Sequence, residues 1–122
     1  MRILYFGGVG GRAGREVLIE RLPEIRKRLS TDFVVVNGEN AAGGFGITEK
    51  IAAEFYDAGA DCIVLGNHSF DQKEIMPYLE KDVRMIRPLN YPKDTPGRGA
   101  SAFKTRRGKS ILVMQVMARL FM

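Results

Sequence analysis

Phe33-Val34-Val35-Val36-Asn37-Gly38-Glu39-Asn40 is the stretch on which the fold turns. Four consecutive apolar residues, three of them β-branched, suit a strand buried on both faces, as in a parallel sheet. The run stops in a polar, glycine-rich loop, Gly38-Glu39-Asn40-Ala41-Ala42-Gly43-Gly44. The same arrangement appears on either side of it. Upstream, Arg2 to Phe6 predicts a short strand ending in Gly7-Gly8-Val9-Gly10-Gly11-Arg12-Ala13-Gly14. Downstream, Cys62 to Leu65 predicts a third strand, closed by Gly66-Asn67-His68-Ser69-Phe70-Asp71.

Helical patterns fill the intervals. Val17, Leu18, Leu22, Ile25 and Leu29 recur at helical spacing between Arg15 and Leu29. Pro23 interrupts that pattern and is expected to kink or divide the helix. Thr48 suits an N-cap, Ile51, Ala52, Phe55 and Tyr56 an inner face, and Gly59 the helix end. A short helix is predicted around Lys73 to Leu79 and a fourth strand over Arg84 to Pro88. Asn90 to Gly99 is a loop rich in proline and glycine. Ala102 to Val116 reads as a hairpin turning at Arg106-Arg107-Gly108-Lys109. Strands alternating with helices predict an α/β fold with a mostly parallel sheet. In such sheets, functional groups collect in the loops at the carboxyl ends of the strands. Three successive strands ending in glycine, carboxylate, amide and imidazole residues are the strongest functional signal in the sequence.

Composition limits the function classes. A chain of 122 residues with 45% hydrophobic content fits one domain with a folded core. No run approaches the ~18 apolar residues that would span a bilayer, and no signal-peptide core is present, so the expected compartment is the cytoplasm. Cys62 lies within an apolar run and reads as a buried free thiol. Net charge is +5, from 19 basic and 14 acidic residues. The excess gathers at Arg21 to Arg28 and Lys104 to Lys109. These clusters lack interleaved aromatics and read as a solvated helix face and a hairpin turn, not a nucleic-acid interface.

Glu39 offers a carboxylate, Asn40 and Asn67 offer amide oxygens, and His68 offers an imidazole. These ligand types suit divalent manganese, iron or zinc. Two such metals activate water and neutralise phosphate, and an imidazole can protonate a leaving oxygen. Read on residues alone, the last loop fits equally a hydrogen-bonded turn in which His68 is structural. Gly8-Val9-Gly10-Gly11-Arg12-Ala13 also matches the G-x-G-x-x-A form of a dinucleotide-binding module. A non-catalytic protein that holds nucleotide or RNA is a further alternative.

Four motifs carry a family resemblance: Asn37 to Thr48, Leu65 to Asp71, Ile86-Arg87-Pro88-Leu89-Asn90-Tyr91-Pro92, and Thr95-Pro96-Gly97-Arg98-Gly99. Together they resemble the YmdB-type calcineurin-like metallophosphoesterases, in order, from Met1 to Met122. The resemblance implies half of an αββα sandwich: a mostly parallel sheet flanked by helices, with a C-terminal hairpin. It implies hydrolysis of cyclic nucleotides, 2′,3′- or 3′,5′-cyclic, with two divalent ions of manganese, iron or magnesium. On it, Glu39 matches a metal-bridging carboxylate, Asn40 a residue near metal and phosphate, and Asn67 a metal ligand. His68 matches the general acid. The family's first strand ends in Gly-Asp; here Gly8 stands where that metal-binding Asp is expected. Family chains are also longer, and their second half supplies further histidines, whereas His68 is the single histidine here. Residues 1–122 are therefore expected to form one truncated metallophosphoesterase-like domain, inactive alone. Such a domain would leave an apolar sheet face bare and form a homo-oligomer through it.

Overall fold

The computed structural model describes residues 1–44, 46–66, 68–69 and 72–118. Four parallel strands form the main sheet: β1 (Ile3–Phe6), β2 (Phe33–Asn37), β3 (Cys62–Val64) and β4 (Met85–Ile86). Three helices connect them: α1 (Gly11–Arg28), α2 (Glu49–Ala58) and α3 (Ile75–Lys81). A hairpin of β5 (Ala100–Lys104) and β6 (Ser110–Met114) follows. The spatial order is β1-β2-β3-β4, the order of the chain. Repeated right-handed crossovers in one direction place their helices on one face of a sheet. The packing agrees: Leu18, Leu22, Ile51, Phe55, Ile75 and Leu79 form one buried cluster with Val34, Val36 and Ile63.

Because side chains alternate along a strand, the other face presents Phe33, Val35, Cys62, Val64 and Ile86. Phe103, Ile111 and Val113 of the hairpin pack on them. Phe33 and Phe103 meet edge-on, with ring centroids 5.2 Å apart. The result is a layer of helices, a parallel sheet and a hairpin, the α/β arrangement predicted from the strand pattern. The hairpin narrows the bare face that the sequence led us to expect. What remains uncovered is the β1 margin, where Ile3 is 53% and Tyr5 57% exposed, and the outer side of β6, where Leu112 is 66% exposed.

The third helix and the hairpin differ from the sequence reading by a few residues at their ends, and three further departures have a physical cause. The first helix begins at Gly11 rather than Arg15, and Pro23 does not divide it. Proline removes one intrahelical hydrogen bond, but Pro23 faces outward. Leu18, Leu22 and Arg26, spaced by four residues on the inner side, hold both of its flanks against the core. Arg26 is the second departure. Placed by sequence on a solvated face, it is 5% exposed and bonds through Nη1 to the Gly59 carbonyl at 2.5 Å and to Asp61 Oδ2 at 2.6 Å. Third, β4 is shorter than predicted. After Ile86 the backbone N–H of Arg87 turns to the Arg98 carbonyl, 2.9 Å away, and Pro88 has no N–H for the ladder.

The expected caps are present. Thr48 Oγ1 accepts the Ile51 N–H at 3.3 Å, and Gly59 closes α2 with φ 124°. Cys62 is fully buried, which pushes its thiol up to about 12. No described helix is long and apolar enough to cross a membrane.

Candidate functional site

The carboxyl ends of β1, β2 and β3 lie side by side because the three strands are parallel neighbours. Backbone hydrogen bonds join the loops that leave them. The Gly38 N–H reaches the Val64 carbonyl at 3.0 Å, and the Gly11 N–H reaches the Asn40 carbonyl at 2.9 Å. The Arg15 guanidinium, on the first helix, donates to the Ala41 carbonyl at 2.7 Å. The second loop therefore rests on α1 on one side and on β3 on the other.

Glu39 occupies the centre of this arrangement. Its N–H is donated to Asn37 Oδ1 at 3.0 Å, which fixes the turn as the chain leaves β2. Its carboxylate lies against the backbone of Gly66, the residue that precedes Asn67-His68. A Cβ on Gly66 would fall 2.1 Å from Glu39 Oε2, so only glycine admits the carboxylate there. Oε1 is 3.5 Å from Asn37 Nδ2, at the outer limit of a hydrogen bond. Oε2 is buried and has no hydrogen-bond partner among the described residues. A buried carboxylate oxygen without a donor is costly, and a cation or an added hydrogen-bond donor would satisfy it.

Asn40 is half-buried at the loop's turn, where its carbonyl accepts from both Gly11 and Gly44. His68 is half-buried in the turn after β3. Gly46 holds this turn against the second loop: with φ 72°, a Cβ there would lie 3.1 Å from the His68 carbonyl oxygen. The structure thus brings the second and third loops into contact. Asn67 lies outside the described residues. Gly8, at the end of β1, has φ 67°, and a Cβ there would meet no atom within 4 Å. The position is open and carries no carboxylate. Among the described residues, no three His, Cys, Asp or Glu side chains cluster to hold a metal.

Two contributors escaped the sequence reading. Gly66 is one, since the need for glycine comes from a carboxylate on a different strand. Tyr91 is the other: its hydroxyl donates to the Gly66 carbonyl at 3.1 Å, fastening the loop after β4 to the third loop. The motif around Tyr91 stands out in the sequence, but no local signal gives it that contact. The basic clusters, by contrast, lie at the opposite end of the sheet. Arg107 pairs with Asp32, just before β2, at 3.0 Å, and Arg26 is buried nearby, 3.4 Å from the Asp32 carbonyl.

Comparison with known proteins gives consistent matches. Residues 4–122 match the family described as YmdB-like protein. The chain is 40% identical over its whole length to a 2′,3′-cyclic-nucleotide 2′-phosphodiesterase of Bacillus subtilis (strain 168), covering 46% of that protein. A crystal structure of a hypothetical protein from Thermus thermophilus superposes with a TM-score of 0.91 at 43% identity. That match covers 100% of this chain and 47% of the other. A phosphatase structure from Mycoplasma pneumoniae gives a TM-score of 0.86 at 27% identity, covering 95% of this chain and 42% of that one. The chain spans about half the length of the relatives it matches.

Proposed function

This chain belongs to the YmdB-like protein family, with part of the calcineurin-like metallophosphoesterase fold, and we propose that its strand-end loops form one side of a metal-dependent phosphodiesterase centre for cyclic nucleotides. The reading rests on one observation: Glu39 Oε2 is buried, unpartnered among the described residues and seated where only a glycine at 66 leaves room. In this reading Glu39 would be a metal ligand, Asn40 would stand near both metal and phosphate, and Asn67 would be a further ligand. Divalent manganese, iron or magnesium would neutralise the phosphate and activate water. Water would lose a proton to solvent and add to phosphorus, one P–O ester bond would break, and the leaving oxygen would take its proton from His68, which solvent then reprotonates.

The donors in this chain suit one edge of such a centre. Gly8 contributes none, and one imidazole cannot serve both as ligand and as acid. We therefore read residues 1–122 as a single domain that does not turn over alone. The test is hydrolysis of bis-p-nitrophenyl phosphate with manganese, comparing this chain with Gly8→Asp. The unaltered chain is expected to match the metal-only blank, and Gly8→Asp to bind manganese more tightly. Aspartate is among the residues that tolerate a left-handed backbone. Turnover by the unaltered chain at a rate ordinary for an enzyme would overturn the reading.

The same reading includes pairing of two copies through the uncovered margin. Ile3 and Tyr5 of β1 and Leu112 and Met114 of β6 line an apolar groove of about 290 Å³. Light scattering with size-exclusion chromatography is expected to show a dimer; a clean 13.6 kDa species would remove this part. Two members of the basic clusters, Arg26 and Arg107, are paired with acids at the end of the sheet away from the loops, so the clusters do not extend the loop site. A dinucleotide site is disfavoured. The Gly11 N–H is already donated to Asn40, and the sequential strand order gives no switch point for such a ligand.

A further inference from the structure

Phosphate chemistry accounts for the Gly-Glu-Asn and Gly-Asn-His loops but leaves the Pro88-to-Pro92 and Thr95-to-Gly99 motifs without a task. Those motifs build a cleft of about 480 Å³ lined by Met76, Tyr91, Pro92, Asp94, Thr95 and Pro96. Its volume lies within the range of small-molecule sites, roughly 300–1,000 Å³. We propose that this cleft seats the nucleobase of the substrate, with the phosphate on the Glu39 and His68 loops. The inference rests on the phosphodiesterase reading and deepens it.

Three observations carry it. First, the cleft is joined to the site. Tyr91, on its wall, donates to the Gly66 carbonyl at 3.1 Å, and the same oxygen accepts the Ser69 N–H at 3.1 Å and the Ser69 hydroxyl. One carbonyl thus links the cleft to the turn that bears Asn67 and His68. Second, the cleft is held rigid from beneath. Arg87, 7% exposed, donates Nη1 to the Pro88 carbonyl at 2.8 Å, Nε to Pro96 at 3.2 Å and Nη2 to Thr95 at 3.4 Å. The Thr95 N–H closes on Pro92 at 3.0 Å, and the Gly97 N–H on Glu80 Oε1 at 3.0 Å. A loop spanned by a buried guanidinium is ordered before a ligand arrives, which lowers the cost of binding.

Third, the lining suits a base. One aromatic ring, two prolines and a methionine offer flat and polarisable surfaces, and every nucleobase presents a π-face to them. Asp94 adds a carboxylate that can accept from exocyclic amines on the base edge.

The test is an amide chemical-shift titration of the whole chain, with diamagnetic magnesium present throughout, with adenosine monophosphate, set against ribose 5-phosphate, which has the phosphate but no base. Adenosine monophosphate is expected to shift the amides of Met76, Tyr91 and Thr95 together with those of Glu39 to Gly44. Ribose 5-phosphate is expected to shift only the latter. Tyr91→Phe should keep base affinity within about twofold, while Tyr91→Ala should lose about tenfold or more. The spectrum itself reports whether either variant is folded, and the map on the unaltered chain does not depend on them. If both probes shift the loop amides equally and neither reaches the cleft, the base seat is wrong and the phosphate reading stands. Should neither probe move the loops, the phosphate reading fails, and this inference fails with it.

Discussion

The two ends of the parallel sheet treat their charges in opposite ways. At the amino end, before β2 and β3, acids and bases are matched. Asp32 accepts the Arg2 N–H at 2.7 Å and pairs with Arg107 at 3.0 Å. Asp61 accepts from Arg26 at 2.6 Å and from the Val34 N–H at 2.8 Å. One nitrogen of that network, Arg26 Nε, is left over. At the carboxyl end, a carboxylate oxygen of Glu39 is buried beside a glycine backbone with no described donor. Removing one member of a matched buried pair is costly, and a buried carboxylate kept unmatched is itself destabilising. On the proposed reading, the contrast would place stability at one end and ligand binding at the other.

Changes at the amino end should act on stability. Arg26→Ala, which strips Asp61 of its cationic partner and opens a void beneath Gly59, is expected to lower unfolding free energy by about 3 kcal/mol. Urea denaturation would read this, and a loss below about 1 kcal/mol would mean the network is ornamental. At the carboxyl end, Gly66→Ala should follow, costing about 1–3 kcal/mol through overpacking against the Glu39 carboxylate. It should also abolish manganese binding.

Glu39→Gln inverts the pattern. It removes an unmatched charge, so thermal stability should hold or rise. Manganese affinity should fall by more than the roughly 10–100-fold typical of losing a supporting group. A lowered melting temperature with unchanged metal affinity would break the comparison.

Acid provides a gentler probe. The Arg2 backbone N–H, foremost, and the Arg107 charge hold the Asp32 carboxyl below its ordinary 3.8. A carboxyl depressed on folding stabilises the protein above its unfolded value, and that contribution is lost as pH falls through the folded one. Stability should therefore decline below about pH 4, and Asp32→Asn should flatten that decline. The smallest effect belongs to Arg12→Ala. It breaks an exposed pair with Glu16, 3.0 Å apart on α1, and should cost no more than about 0.5 kcal/mol.

How much of this could be read from sequence follows the range of each interaction. Phe33 to Val36 and Cys62 to Val64 announced themselves because burial on both faces writes a continuous apolar run. Thr48 and Gly59 were readable as caps because a cap is a local event. Pro23 misled for the opposite reason: its local penalty is real, but Leu18, Leu22 and Arg26 contact distant segments that no periodicity reveals. The burial of Arg26 depends on Gly59 and Asp61, 33 and 35 residues away. The loops were recognisable as chemistry, since three successive strands end in glycine-bearing loops and the second and third of these add carboxylate, amide and imidazole groups. That Glu39 needs a glycine at 66, and that Tyr91 reaches the same residue, became apparent only with the sheet assembled. The hairpin's role followed the same rule, since Phe103, Ile111 and Val113 alternate as any strand does without naming the face they cover.

The central claim is that the unmatched oxygen of Glu39 faces a metal. Paramagnetic broadening of amide resonances by substoichiometric manganese tests it most directly, because it compares both ends of the sheet in one spectrum. The account predicts selective loss of Glu39, Asn40, Gly66 and His68 amides, abolished in Glu39→Gln, with Asp32 and Asp61 unaffected. Broadening centred on Asp32 and Asp61, or persisting at the loops in Glu39→Gln, would contradict it.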